Sequence, residues 1–260
     1  MGAYNRYRRR AIADWASFNV LTDVPSLKAW YRADTTTNAG GFVSQLTDKS
    51  GNGFHFVQGT GSKQPALIAS GSDPNGKDCV VFDGTDDALT LASPGFGAMN
   101  DVTWIGVTRS VVTPAASGTL FRQGNFGNAK AIQLTMNTNS ILSCSYVNPA
   151  STNSARNVDF SGVAARTVPT VVCVRHNSSA ATSAIPLTRS RLGAVVFANS
   201  VSNATVSTIA AIGAAFGAAT AGTTTYLGYG LYEWIVCNAL LTDDQVRKIE
   251  LYLAGYYGLL

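Results

Sequence analysis

Two consecutive segments near the C-terminus decide the fold. Tyr226-Leu227-Gly228-Tyr229-Gly230-Leu231-Tyr232-Glu233-Trp234-Ile235-Val236 is rich in aromatic and branched residues and reads as a β-strand. The segment that follows, Thr242-Asp243-Asp244-Gln245-Val246-Arg247-Lys248-Ile249-Glu250-Leu251-Tyr252-Leu253, changes period and reads as a helix. Thr242 is the expected N-cap, and Gln245 at the third helical position completes a capping box. Asp243 and Asp244 suit the positive end of the helix dipole. Val246, Ile249 and Leu253 form one apolar face for packing on a sheet, and Gly255 is the expected terminator.

Working outward, the rest of the chain keeps the two-residue period of strands. Ile132, Leu134 and Met136 alternate with Gln133 and Thr135, and Leu142, Cys144 and Tyr146 with Ser143 and Ser145. Further strands are expected at 27–31, 54–57, 79–82, 88–91, 102–109, 118–123, 168–176, 192–198 and 206–212. Asp48-Lys49-Ser50-Gly51-Asn52-Gly53 is a dense turn signal, since Asn and Gly tolerate positive φ. Asp83-Gly84-Thr85-Asp86-Asp87 reads as the connection of a hairpin between the strands on either side of it. Residues 26–260 form one domain with no internal repeat. Residues 1–25 form a basic, aromatic arm whose segment 7–18 has helical spacing at Ile12, Trp15 and Phe18.

The composition supports this reading. Only 13% of the 260 residues are charged while 46% are hydrophobic, and the sole glutamates are Glu233 and Glu250. The net charge of +4 is unevenly placed, because Arg6, Arg8, Arg9 and Arg10 fall in the first ten residues. Without them the 15 remaining basic residues balance 15 acidic ones. A neutral body argues against a nucleic-acid-binding domain, which needs a basic face. No apolar run suggests a secretion signal, and the small-residue run 208–220 is too short to span a bilayer. Cys79, Cys144, Cys173 and Cys237 are scattered through apolar runs, which fits buried, reduced thiols. No close Cys/His pairs suggest zinc.

On these residues the chain resembles the concanavalin A-like lectin/glucanase superfamily, and within it the laminin-G-like domains of bacteriophage virion proteins and bacterial surface proteins. The likeness rests on Trp30, on Asp48–Gly53, on Val80-Val81-Phe82-Asp83-Gly84-Thr85-Asp86-Asp87, on Gly230–Val236, and on Leu240–Leu253 with Tyr257-Gly258-Leu259. It implies an all-β, two-sheet antiparallel jelly-roll sandwich closed by a short C-terminal helix. It also implies a face that binds carbohydrate or protein.

The search for chemistry returns little. Glycosidases set two carboxylates about 5–10 Å apart across the bond, and Glu233 has no acidic neighbour in sequence. His55 and His176 are the only histidines, and neither lies in a nucleophile-elbow or phosphate-loop motif. We therefore expect no enzyme and no catalytic residue. Asp48, Asp83, Asp86 and Asp87, with Asn52, could supply oxygens to a structural Ca²⁺, although the aspartates also suit turns. Trp30, Trp104 and Trp234 read as core, and Tyr146, Tyr226 and Tyr229 as looser candidates for a sugar platform.

The expected role is a bacteriophage virion protein, decorating the capsid or fixed to the tail. Tyr4, Arg6, Tyr7, Arg8, Arg9, Arg10, Trp15 and Phe18 would anchor it to neighbouring capsid or tail subunits, or to copies of itself. The alternative is a carbohydrate-binding module that recognises a host-surface glycan or a polysaccharide. No membrane role is expected, and the expected location is the virion, or otherwise outside the cell.

Overall fold

The computed structural model describes residues 17–73, 75–92, 94–110, 118–124, 131–136, 142–147, 168–176, 188–192, 195–199, 213–217 and 226–259. A short helix α1 (Val20–Asp23) leads into β1 (Leu27–Ala39), β2 (Phe42–Asp48), β3 (Phe56–Val57), β4 (Ala66–Ile68), β5 (Cys79–Asp83), β6 (Leu89–Leu91) and β7 (Val102–Ser110). Then come β8 (Gly118–Gln123), β9 (Ala131–Met136), β10 (Leu142–Val147), β11 (Thr170–His176), β12 (Thr188–Leu192), β13 (Val195–Asn199) and β14 (Ala214–Phe216). The chain ends in β15 (Gly228–Cys237) and the helix α2 (Asp243–Tyr256). Among the described residues the fold is all-β with one substantial helix, the C-terminal one the sequence indicates.

The strand order is β10-β9-β8-β14-β6-β3-β2-β4-β5-β15-β7-β11-β12-β13, and β1 pairs with both β15 and β2. Strands β1, β2, β4, β5 and β15 therefore pair in a closed ring of five. Beyond the ring the sheet folds back over itself. Trp104 of β7 meets Phe121 of β8 edge-on at 4.6 Å between ring centroids, although β7 and β8 are not neighbours in the sheet. Phe121, Phe216, Trp234, Phe56 and Tyr31 continue this aromatic core. Each such pair adds about 0.5–1.5 kcal/mol beyond its buried area.

Strand β15 is buried at all ten positions because both its faces are covered. Tyr229, Leu231, Trp234 and Val236 enter the aromatic core, while Tyr232, Ile235 and Cys237 face α2 with Val246, Ile249 and Leu253. The register against β7 slips between Leu231 and Glu233, so Tyr232 is the extra residue of a bulge. A bulge breaks the alternation of faces, and Glu233 accordingly joins Tyr232 on the helix side.

Helix α2 begins at the expected capping box, with Thr242 Oγ1 accepting from Gln245 N and Gln245 Oε1 accepting from Thr242 N. Its end differs from the expectation. The helix runs through Gly255 and stops at Gly258, which takes φ +66°. Gly258 N donates to Gly255 O and Leu259 N to Ala254 O, the paired bonds of a Schellman motif.

Other sequence expectations also shift. Strands β5 and β6 do not pair with each other: β5 pairs with β4 and β15, and β6 with β3 and β14. The turn 83–87 thus carries the chain between separate parts of the sheet instead of closing a hairpin. The single strand expected at 192–198 is the hairpin β12–β13. The strand expected at 54–57 is only Phe56–Val57, because the backbone of Phe54 is bonded to the preceding turn. Cys79, Cys173 and Cys237 are buried free thiols, as expected. The strand expected at 206–212 and the helix expected in the arm lie outside the described residues, except at the arm's end.

Candidate functional site

An open cleft of about 490 Å³ is lined by Ser26, Leu27, Lys28, Asn52, Phe54 and Asn238. Its floor is where β1 begins and β15 ends, and its wall is the turn 48–54. The sequence marks this turn clearly, and the structure shows what organises it. Asp48 is buried, and its Oδ1 accepts from Trp30 N at 3.0 Å and Ser50 N at 2.9 Å. Its Oδ2 accepts from Ser50 Oγ at 2.9 Å and Phe54 N at 3.1 Å. One carboxylate thus closes the turn on itself and ties it to β1. Gly51 and Gly53, at φ +86° and +78°, supply the left-handed backbone the turn requires.

From that frame Asn52 Nδ2 donates to Lys28 O at 3.0 Å. Lys28 sits where the β1–β15 register slips between Leu27 and Ala29, so its carbonyl is free to accept. The Lys28 ammonium lies 4.7 Å from the centroid of the half-buried Phe54 ring. Tyr31 Oη donates to Phe54 O at 2.6 Å and fixes the same residue from behind. On the far side Asn238 N donates to Ser26 O, and Ser26 holds φ +54°, a strained conformation for a residue that is not glycine. The cleft therefore offers amide and hydroxyl groups, one ammonium and one aromatic ring on a rigid frame.

Behind β1 lies a group that the sequence gives no reason to single out. Glu233 is fully buried by α2, and its Oε1 accepts from Trp30 Nε1 at 2.7 Å and Tyr252 Oη at 3.1 Å. Its Oε2 accepts from Tyr257 Oη at 3.0 Å. Burial pushes the carboxyl up to about 7, against the pull of Trp30, Tyr257, Arg32 and Tyr252 toward the charged form. Nearby, Tyr232 Oη donates to Asp73, which also pairs with Arg109 at 3.0 Å. Side-chain donors hold Glu233 between sheet and helix, so it is a fastening with no open face for a substrate. The bulge at Tyr232 is what brings it there, and nothing in the residue pattern announces a bulge.

The aspartates expected to bind Ca²⁺ separate into two places. Asp83, Asp86 and Asp87 can bring carboxylate oxygens within 4.8 Å of one another. Asp48 is not among them, being spent on the cleft turn. Within the cluster Asp83 Oδ1 accepts from Thr85 N and Asp86 N, and Asp87 Oδ2 accepts from Asp83 N. These are turn bonds. Burial pushes Asp87 up to about 6, with the charges of Asp83 and Asp86 adding to the rise.

The three tryptophans expected in the core are there: Trp104 and Trp234 are fully buried, and Trp30 is 8% exposed. Tyr229 is no sugar platform, since it is fully buried and donates to Leu120 O at 2.7 Å. Tyr226 is half-buried, and the side chain of Tyr146 lies outside the described residues. His55 is part of the turn, its Nδ1 accepting from Asp48 N. Of the arm's expected anchors, Phe18 stacks on Tyr252 of α2 at 5.2 Å. That ring is therefore used within the chain. Tyr4, Arg6, Tyr7, Arg8, Arg9, Arg10 and Trp15 lie outside the described residues.

No model of a known protein family matches the chain, and no curated protein matches it in sequence. Solved structures do match in fold. Trypanosoma rangeli sialidase in complex with sialic acid superposes with a TM-score of 0.59 at 13% identity, over 97% of this chain and 38% of that one. The botulinum neurotoxin serotype G binding domain gives 0.58 at 9% identity, over 89% of this chain and 51% of that one. An arabinofuranosidase complexed with arabinofuranosyl-alpha-1,2-xylobiose gives 0.56 at 12% identity, over 89% and 59%. The chain spans about two fifths of the sialidase's length.

These likenesses correct the expectation that the chain is no enzyme. That expectation rested on sparse glutamates and histidines, and two of the three structures named above are enzymes, a sialidase and an arabinofuranosidase. At such identities what is shared is the fold, an all-β architecture.

Proposed function

We propose that this chain recognises carbohydrate and that the glycan docks in the cleft between Asn52, Phe54, Lys28 and Asn238. The observation that carries this reading is the chemistry of the cleft. Sugars present hydroxyls to amides and apolar C–H faces to aromatic rings, and this cleft places both on a turn locked by a buried carboxylate. Preorganised polar groups of this kind set orientation at little cost in entropy. The fold likeness to glycan-handling proteins supports the same reading.

The test is a glycan array with the full chain, followed by titration of any hit against Asn52→Ala and Phe54→Ala. Binding of one glycan class that both substitutions abolish is the expected result. Binding unaffected by either substitution places the site elsewhere.

For the finer fold we propose a concanavalin A-type jelly roll, supported by the sequence resemblance and by a sheet whose halves pack face to face. For the setting we propose a virion, with the basic arm as the attachment device, supported by the concentration of four arginines in the first ten residues. Deleting residues 2–16 should then abolish incorporation into particles. Full occupancy by the truncated protein would refute the setting without touching the cleft.

A further inference from the structure

Next to the cleft, along the same strand, three cations crowd over two aromatic rings. Trp30, Arg32 and Asp34 follow one another at alternate positions of β1. The Arg32 guanidinium lies 5.6 Å from the Trp30 ring centroid and 5.2 Å from that of Tyr256. The Lys49 ammonium lies 4.9 Å from the same Trp30 ring, and the Lys77 ammonium 3.9 Å from the same Tyr256 ring. Arg32 is therefore the hub, sharing one ring with each lysine.

Against these three positive charges stand two outer carboxylates, Asp34 and Asp78, the latter acting on the Tyr256 hydroxyl. Asp34 takes Arg32 at 2.6 Å and Lys49 at 3.7 Å. Burial alone would raise its carboxyl, yet the two cations hold it below the usual range. Lys49 is lowered by burial and then by the charge of Arg32, the sign of like charges pressed together. Among the described residues Lys77 makes no ion pair. Glu233 lies behind the patch, but it is fully buried and already accepts from three side chains. The rings hold the cations in place through their faces, while Arg32 gives its Nε and Nη2 to Asp34. The side chains of Arg32 and Lys49 remain about one-fifth exposed.

We propose that Arg32, Lys49 and Lys77 form a subsite for the carboxylate of an acidic sugar. The inference rests on the carbohydrate reading of the cleft and names the glycan class. Lys28, in the cleft, and Arg32 are four residues apart on β1, roughly 13 Å along the strand. Lys49 also adjoins Asp48, so the turn that shapes the cleft also positions one cation of the subsite.

The test compares an oligogalacturonate with its carboxyl-reduced, neutral counterpart by calorimetry on the full chain at fixed ionic strength. The acidic form should bind about tenfold more tightly, the gain expected of a charge-assisted bond. In Lys49→Gln/Lys77→Gln that preference should fall to parity, and in Lys77→Gln alone it should shrink. Melting curves establish that the variants fold, and the NMR signals of the Lys49 and Lys77 side chains report contact at the patch in the unsubstituted chain. Equal binding of the two forms, a preference that survives the double substitution, or no binding of the acidic form overturns the inference. If the neutral form still binds and Asn52→Ala abolishes it, the carbohydrate reading stands and only the acidic subsite fails.

Discussion

Asp48-Lys49-Ser50-Gly51-Asn52-Gly53 and Asp83-Gly84-Thr85-Asp86-Asp87 read alike in sequence, as aspartate- and glycine-rich turns, yet the structure uses them in opposite ways. The first turns inward. Its aspartate is buried, takes four donors and shapes a cleft. The second turns outward and carries the chain from one part of the sheet to another. Its aspartates bond N–H groups of the turn itself: Asp83 is exposed, and Asp87, although buried, accepts from Asp83 N. Residue type gives a turn, but what the turn does depends on whether its carboxylate reaches a donor outside the turn. Trp30 N of β1 makes that difference for Asp48.

The largest expected effect is Asp48→Ala, which strands three backbone N–H groups and a hydroxyl. It should cost about 3–5 kcal/mol in denaturant unfolding, against about 1 kcal/mol for Asp83→Ala. Comparable losses at the two positions would erase the contrast.

The glycines should invert it. A Cβ on Gly84 would come within 2.7 Å of Gly228 N, a backbone atom, whereas a Cβ on Gly51 meets nothing within 4 Å. Both residues have positive φ. Gly51→Ala should therefore cost only the conformational penalty of about 1–2 kcal/mol, and Gly84→Ala at least about 3 kcal/mol. The outward turn is thus the more sensitive to its glycine and the inward turn to its aspartate.

Buried Glu233 offers a third carboxylate for comparison, held by side-chain donors. Its ordinary value is 4.5 and in the folded chain it stands at about 7. Between those values the folded state keeps a proton that the unfolded chain has lost. The stability contributed by the protonated group is full below about 4.5 and is lost as pH rises through about 7. Glu233→Gln should flatten that part of the stability–pH curve, as read from melting temperatures against wild type. A variant curve parallel to wild type would show that Glu233 does not titrate there.

The smallest effect is local. Asp87 should titrate near 6 by NMR, and Asp86→Asn should lower that midpoint by removing one neighbouring charge. An unchanged midpoint would leave the rise to burial and Asp83.

Much of this molecule is legible in its sequence because strands and caps are local. The alternation at 131–136 and 142–147 and the Thr242–Gln245 box each need only a few residues to declare themselves. Buried Trp104 and Trp234 and the free thiols follow from general burial preferences. The failures are long-range. Whether β5 and β6 pair depends on competing partners, β15 and β14, that are more than a hundred residues away. The bulge that aims Glu233 at Trp30 is set by the register with β7. Gly255 loses the terminator role to Gly258, whose positive φ closes the paired terminal bonds, while Tyr257 just before it is anchored on Glu233. Of the candidate site, the turn was visible as a turn, while the cleft required knowing that Asn238 and Ser26 stand opposite Asn52.

The central claim is that the cleft framed by Asp48 binds carbohydrate, and NMR titration of the full chain with a glycan selected from an array tests it most directly. Shifts are expected at the Asn52 and Asn238 side-chain amides and the Phe54 ring, abolished in Asn52→Ala while the fold is retained. Glycan binding whose shifts leave those groups unmoved, or no binding by any glycan, would contradict it.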